Sequence, residues 1–146
     1  QMINTTDIFA TLASVVGVSR PDDVATDSFD RLPALLGRQD ESRSIRPHML
    51  TQSFRGEFQV RQGPWKYLDH SGSGGNRYDR GILQAYAIPD TAPNAPGQLY
   101  NLDTDRGETT NLYFTEEAKR KELQSLLQEL KASGRSAPKD RRPFRM

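Results

Sequence analysis

At residues 60–67 the chain reads Val60-Arg61-Gln62-Gly63-Pro64-Trp65-Lys66-Tyr67. Two short strand-like runs flank Gly63 and Pro64 here, and both of these residue types favour tight turns. Trp65 supplies a large apolar ring and Arg61 supplies a planar hydrogen-bond donor. The stretch therefore predicts an antiparallel hairpin whose conspicuous residues have structural roles.

Further strand-like runs lie on both sides of this hairpin. Before it, His48–Ser53 and Phe58–Arg61 are separated by the turn signal Arg55-Gly56. After it, Trp65–Leu68 completes the hairpin, and Gln98–Leu102 resumes as a strand beyond a long irregular stretch. Together these runs predict an antiparallel sheet of about four strands.

Helical patterns precede and follow the sheet. Thr6–Val16 predicts a short amphipathic helix that Thr6 or Asp7 can cap, and Leu32–Gly37 predicts one or two helical turns. Thr115 is expected to cap a long helix that ends at Gly134. Its apolar stripe consists of Leu123, Leu126, Leu127 and Leu130. The predicted fold class is α+β, with a small antiparallel sheet, the long C-terminal helix packed on it and the short N-terminal helix.

Length and composition indicate one small domain that depends on a partner. The 146 residues can bury a single core, yet only 34% are hydrophobic and 27% are charged. The net charge of +1 and the mixed charges argue against nucleic-acid and membrane partners, and the basic tail 135–146 is expected to be solvated. The absence of cysteine excludes disulfides and thiolate sites, and no apolar run approaches the roughly 20 residues of a membrane span.

The sequence contains no identifiable enzyme active site. Neither a Gly-x-Ser-x-Gly elbow nor a His-Glu-x-x-His motif is present. Asn101, Asp103 and Asp105 alternate as at the start of a calcium-binding loop, but Arg106 stands where that loop needs glycine and Leu112 where it needs glutamate. We therefore expect no catalytic residue, no metal ligand and no cofactor site in this chain.

The stretch 69–97 is the part of the sequence best suited to meet a ligand. It is too long for a simple strand connection, and its glycines allow a close approach to another surface. His70, Asn76 and Tyr78 are the candidate substrate contacts, because their side chains can hydrogen-bond to a sugar or stack on it. A mobile surface excursion is an equally acceptable interpretation. His48, at the start of a strand, is expected to be structural.

Four segments, in this order along the chain, resemble the C-terminal part of the sulfatases of the alkaline-phosphatase-like superfamily. Asp7–Leu12 with Val16-Gly17-Val18 is similar to their Asp-Leu-x-Pro-Thr-Leu helix ending in Ala-Gly-Val, with Ala10 in place of proline. Asp27-Ser28 with Leu32–Gly37 resembles their Asp-Gly-x-Ser-Leu-x-Pro-Leu-Leu-x-Gly segment, with Ser28 in place of the glycine that follows the aspartate.

The other two segments carry the more specific part of the resemblance. Residues 60–67 look like the Ile-Arg-x-Gly-x-Trp-Lys hairpin of these enzymes, and residues 98–112 look like their Leu-Tyr-Asp-Leu-x-x-Asp-Pro-x-Glu-x-x-Asn-Leu segment, with Arg106 in place of proline. The matching positions that we expect to be structural are Arg61, Gly63, Trp65, Lys66, Tyr100, Asp105, Glu108 and Asn111.

The resemblance implies a role in the hydrolysis of sulfate esters, with carbohydrate sulfates as the expected substrates. Relatives of this kind use calcium and a formylglycine made from a Cys/Ser-x-Pro-x-Arg motif, which this chain lacks. The implied division places the end of the catalytic domain and a connector at 1–46, the C-terminal subdomain at 47–134 and the basic tail at 135–146. The implied partners are an N-terminal catalytic domain and a sulfated substrate, and self-association through the exposed domain interface is expected.

Two other interpretations are compatible with the residues. The chain could be a free-standing binding module for anionic glycans that uses its basic tail and exposed aromatic residues. It could also belong to a hydrolase of phosphate or phosphonate esters, because that superfamily uses related sites. The cellular compartment stays open.

Overall fold

The computed structural model describes residues 1–139 of the chain. The last part of the predicted basic tail, 140–146, lies outside the described residues. Two compact units can be distinguished. We call residues 50–129 the sheet unit, and we call residues 1–49 together with the described residues from Leu130 onward the terminal unit.

The sheet unit contains four strands in the order β1-β2-β3-β4. β1 is Met49–Gln52, β2 is Phe58–Gln62, β3 is Trp65–Leu68 and β4 is Gln98–Asn101. β2 pairs antiparallel with β3, and β3 pairs antiparallel with β4. The predicted antiparallel sheet and its strand boundaries are confirmed to within one or two residues.

The central hairpin closes at the predicted turn. Gln62 pairs with Trp65 in the register of β2 and β3, which leaves Gly63 and Pro64 as the two loop residues. Gly63 has φ +56°, a left-handed conformation that glycine adopts without strain. Arg61 Nε donates to the Gly63 carbonyl at 2.9 Å, so its planar donor closes the turn.

One face of the sheet packs against the long helix α3, Glu117–Ser133. Val60, Tyr67 and Leu99 are neighbours on this face, and they are 0%, 5% and 0% exposed. Gln124 Nε2 of α3 donates to Tyr67 Oη at 3.1 Å, which ties the helix to β3. Packing of the C-terminal helix on the sheet agrees with the predicted fold class.

The predicted stripe of α3 is only partly buried. Leu123 and Leu127 are fully buried, whereas Leu126 is half-buried, and Leu130 already belongs to the terminal unit. The helix begins at Glu117, and the Thr115 hydroxyl donates to the Leu112 carbonyl at 3.3 Å. The expectation that all four leucines face the sheet therefore holds for Leu123 and Leu127.

The terminal unit contains α1, Asp7–Val15, and the short helix α2, Leu32–Leu35. Both helices were predicted, but the burial of α1 is the reverse of the amphipathic expectation. Its buried residues are Asp7, Ala10 and Thr11. Its apolar residues are exposed: Ile8, Leu12, Val15 and the following Val16 are between 56% and 70% exposed.

A buried ion cluster explains why α1 turns a polar side inward. Asp7 Oδ2 lies 2.9 Å from Arg31 Nε, and Asp7 Oδ1 accepts from Arg46 Nη2. All three side chains are at most 3% exposed. Burial alone would raise the pKa of Asp7, but hydrogen bonds from Arg46, the Phe29 N–H and others outweigh burial and hold that pKa below its usual range.

The stretch 69–97 contains one element that the sequence did not predict. Gly81–Tyr86 forms a 3₁₀ helix that begins after the extended residue Arg80 and buries none of its side chains. Within residues 1–139, none of the helices has the length and apolarity that a membrane crossing requires.

Candidate functional site

A cleft of about 1060 Å³ lies within the sheet unit, on the face of the sheet that is turned away from α3. The register explains which strand residues reach it. Lys66 pairs with Tyr100, and Leu68 pairs with Gln98, so these four alternate with the buried Tyr67 and Leu99 and point to the opposite face. Residues of the stretches 51–59 and 70–91 and of the turn 107–111 complete the walls.

Gln98 connects the floor of the cleft to the loop above it. Its Nε2 donates to the carbonyls of His70, at 3.1 Å, and Gly72, at 2.7 Å. Its Oε1 accepts from Tyr100 Oη at 2.7 Å. Burial and the negative charges of Asp90 and other carboxylates raise the pKa of Tyr100 to about 12, so its hydroxyl stays a donor at neutral pH.

Lys66 and Glu108 form an ion pair at one side of the cleft. Lys66 Nζ lies 2.7 Å and 2.8 Å from the two carboxylate oxygens of Glu108. Glu108 has φ +54°, a left-handed conformation that costs a non-glycine residue free energy. The left-handed backbone at Glu108 occurs together with this ion pair, which neutralises the ammonium charge that faces the cleft.

Asn111 and Asp105 organise the turn that follows β4. Asn111 Oδ1 accepts from the N–H groups of Leu99 and Tyr113, both at 3.1 Å. Asp105 Oδ2 accepts from the N–H groups of Thr109 and Thr110, both at 2.8 Å, and these bonds hold the pKa of Asp105 below its usual range. The structural roles of these positions thus differ: Asp105 and Asn111 hold backbone N–H groups, while Glu108 pairs with Lys66.

The three candidate substrate contacts all line the cleft, but they differ in exposure. The His70 side chain is only 11% exposed, and its Nδ1 lies 3.7 Å from Glu57 Oε2. Asn76 and Tyr78 are exposed. Close packing holds the loop over His70, because a Cβ added to Gly74 would lie 3.3 Å from His70 Cε1 and 2.9 Å from Ser53 Cβ.

Some of the residues that the sequence predicted to be structural or to contact substrate line the cleft, and others do not. Lys66, Tyr100, Glu108 and Asn111 line it together with the three candidate contacts, whereas Arg61, Gly63, Trp65 and Asp105 do not. The lining also contains residues that the sequence did not single out: Gln98 and the acidic residues Glu57, Asp79 and Asp90. The period-2 alternation of β4, with Gln98 and Tyr100 on one face, is the signal that could have identified Gln98.

His48 lies in the terminal unit and is not one of the residues that line the cleft. Its Nε2 is 3.1 Å from the Ser136 carbonyl oxygen. Burial lowers the pKa of His48, and the charge of Arg46 acts in the same direction. The side chain is thus part of the packing at the start of β1.

Calcium binding requires six to eight oxygen ligands gathered at one point. In the part of the chain that the structure describes, no three His, Asp or Glu side chains are grouped so that they could hold a metal ion. The described residues therefore do not fit the calcium ion of the sulfatases.

Comparisons with known proteins agree with the resemblance drawn from the motifs. No protein-family model matches the chain. It is 29% identical over 125 residues to an N-acetylgalactosamine-6-O-sulfatase of Bacteroides thetaiotaomicron, an alignment that covers 86% of this chain and 22% of that protein. The chain thus spans about a fifth of the length of this relative.

A solved sulfatase structure is similar in fold as well as in sequence. It comes from work on the metabolism of multiple glycosaminoglycans by Bacteroides thetaiotaomicron, with a TM-score of 0.61 and 27% identity. The similarity covers 86% of this chain and 24% of that one. The predicted resemblance to the C-terminal subdomain of a sulfatase is confirmed.

Proposed function

We propose that this chain is the C-terminal subdomain of a sulfuric ester hydrolase that acts on carbohydrate sulfates. In this proposal, the subdomain buttresses the catalytic part and borders the substrate cleft. The observation that carries it is the cleft itself. In a chain similar to sulfatases, it brings the motif residues Lys66, Tyr100, Glu108 and Asn111 together with the exposed loop residues.

The buttressing role is supported by the exposed side of the terminal unit. Among its described residues, nine large apolar side chains are at least 43% exposed: Ile3, Ile8, Phe9, Leu12, Val15, Val16, Val18, Leu35 and Leu36. We call this set the apolar face. Exposed apolar residues in such number are typical of a surface that another protein part covers. The catalytic part of the enzyme is the proposed occupant.

The chemistry is assigned to that catalytic part. When present there, formylglycine supplies the nucleophile and calcium supplies charge stabilisation, as the resemblance implies. The sequence lacks the Cys/Ser-x-Pro-x-Arg motif, and residues 1–139 contain no group of three metal-ligating side chains, so we expect the isolated chain to turn over no sulfate ester. The two other interpretations, an anionic-glycan module and a phosphate or phosphonate ester hydrolase, receive no support from the comparisons.

The proposal can be tested in the enzyme that contains both parts. Tyr78→Ala and Asn76→Ala should lower kcat/KM on the sulfated carbohydrate by a factor of about ten, or about 1.4 kcal/mol, while a small aryl sulfate is largely spared. The reason is that a small ester does not reach the loop. His70→Ala is expected to act in the same direction, partly by loosening the loop.

Ile82→Ala is the matched control, because Ile82 is exposed in the same stretch but does not line the cleft. The isolated chain serves as the blank in both assays. Unchanged kinetics of Tyr78→Ala and Asn76→Ala on both substrates, in variants of normal stability, would refute the cleft assignment. Sulfate release by the isolated chain would refute the assignment of the chemistry.

A further inference from the structure

The cleft of the sheet unit carries an excess of negative charge. Four carboxylates line it, those of Glu57, Asp79, Asp90 and Glu108, against the single ammonium of Lys66. That ammonium is already paired at 2.7 and 2.8 Å with Glu108. The remaining carboxylates leave a cleft that repels anions, although the proposed substrate is itself anionic.

His70 does not reverse this balance. It is the other ionisable nitrogen base among the lining residues, and its Nδ1 lies beside Glu57 and the Ser71 carbonyl oxygen. Arg77 and Arg80 occur in the same stretch of chain but are not among the residues that line the cleft. A sulfate or a carboxylate placed in the cleft would therefore meet carboxylates without a matching cation.

The lining does suit the hydroxyl groups and ring faces of an uncharged sugar. Carboxylates accept hydrogen bonds from hydroxyl groups and can accept several each. Tyr78 and Tyr86 line the cleft and are 36% and 71% exposed, so their rings are available for stacking. Gln59 and Asn76 add amide groups that can both donate and accept.

We infer that the cleft holds an uncharged sugar unit of the substrate and selects against a second anionic group at that place. The inference rests on the proposed function, in which the reacting sulfate lies in the catalytic part and a neighbouring sugar lies here. It names the substrate class that this subdomain would favour: a sulfated saccharide whose adjacent sugar carries neither sulfate nor carboxylate.

The experiment is a binding titration of the isolated chain, followed by the amide resonances of the sheet unit. The probes are two disaccharides, N-acetylgalactosamine linked to glucose and N-acetylgalactosamine linked to glucuronate, which differ by one carboxylate. We expect the uncharged disaccharide to bind at least about tenfold more tightly at low salt, with the difference shrinking as salt screens the charges. Tighter binding of the glucuronate probe, or no binding of either probe, overturns the inference.

Two variant pairs locate the effect. Asp79→Asn should narrow the difference between the probes, whereas Asp103→Asn, the same change at an exposed position outside the lining, should leave it unchanged. Tyr86→Ala should weaken binding of the uncharged probe about fivefold, and Ile82→Ala on the same 3₁₀ helix should not. Equal effects within either pair contradict the inference.

The outcome is separable from that of the proposed function. The titration needs no turnover. If the chain binds the uncharged probe selectively but the enzyme that contains it releases no sulfate, the proposed function is rejected and the sugar site is retained. An active enzyme whose cleft binds the two probes equally would retain the proposed function and reject the inference.

Discussion

Asp7 shows at the residue scale how one carboxylate can organise a unit. It receives hydrogen bonds from Arg31, from Arg46 and from the backbone N–H groups of Asn4 and Phe29. These partners come from three separate segments of the terminal unit. One carboxylate is thus the shared partner of two guanidinium groups, and all three side chains are buried.

Asp7→Asn should destabilise the chain by about 3–5 kcal/mol, because it leaves two buried cations without an anion. Urea unfolding at neutral pH measures the loss. Asp103→Asn, at an exposed site, is the matched control and should change the free energy of unfolding by less than about 0.5 kcal/mol. Equal small losses in the two variants would mean that the cluster contributes little.

The lowered pKa of Asp7 predicts that the free energy of unfolding depends on pH. The pKa of Asp7 is lower in the folded chain than in the unfolded chain, so its contribution is fully present above the unfolded value. It is lost as the pH falls from about 4 through the folded value. Wild type should therefore lose stability steeply in this window, and Asp7→Asn should lose less.

Sequence analysis could not have found this cluster. Asp7 was assigned a capping role and Arg46 was placed at the end of a charged connector, because nothing in the local pattern relates residues 39 positions apart. The predicted helix α1 is amphipathic, but the side that it buries in this unit is the polar one. Its apolar residues have no covering surface within the described chain, so the polar side of the helix was buried instead.

At the scale of elements, local signals predicted most of what the structure shows. Turn residues and period-2 alternation depend only on neighbours in the chain, and they placed the strands within one or two residues. The residues that line the cleft were harder to predict from the sequence, because they depend on the register between β3 and β4. The apolar stripe of α3 likewise does not reveal which of its leucines are fully buried, because that depends on how the helix lies on the sheet.

Leu127→Ala should cost about 2–5 kcal/mol, because it leaves a cavity where α3 meets the sheet. Leu126→Ala is the natural comparison, since Leu126 is a neighbour of the same size on the same helix but is half-buried. Its loss should be clearly smaller. Denaturant unfolding of both variants decides the point, and equal losses would place Leu126 in the core as well.

At the scale of the whole molecule, the apolar face makes the isolated chain prone to associate. We expect it to form dimers or larger species in solution, because burial of exposed apolar surface is favourable at roughly 25 cal/mol per Å². The double variant Leu12→Gln, Val16→Gln should shift the population towards monomer. Light scattering coupled to gel filtration measures the mass.

Ile82→Gln is the control for this experiment, because Ile82 is 86% exposed but belongs to the sheet unit. It should leave the mass distribution as in wild type. A monomeric wild type at high concentration would contradict the expectation, and so would association that the Gln variants leave unaffected.

The outer edge of β4 adds a constraint on how the chain can associate. The Leu99 N–H donates to Asn111, its carbonyl accepts from the Leu112 N–H at 2.8 Å, and the Asn101 carbonyl accepts from the Asp105 N–H at 2.8 Å. These backbone groups are the ones that an incoming strand would need. The turn after β4 thus blocks strand addition at this side, so β-sheet growth into fibrils cannot begin there while the turn is intact.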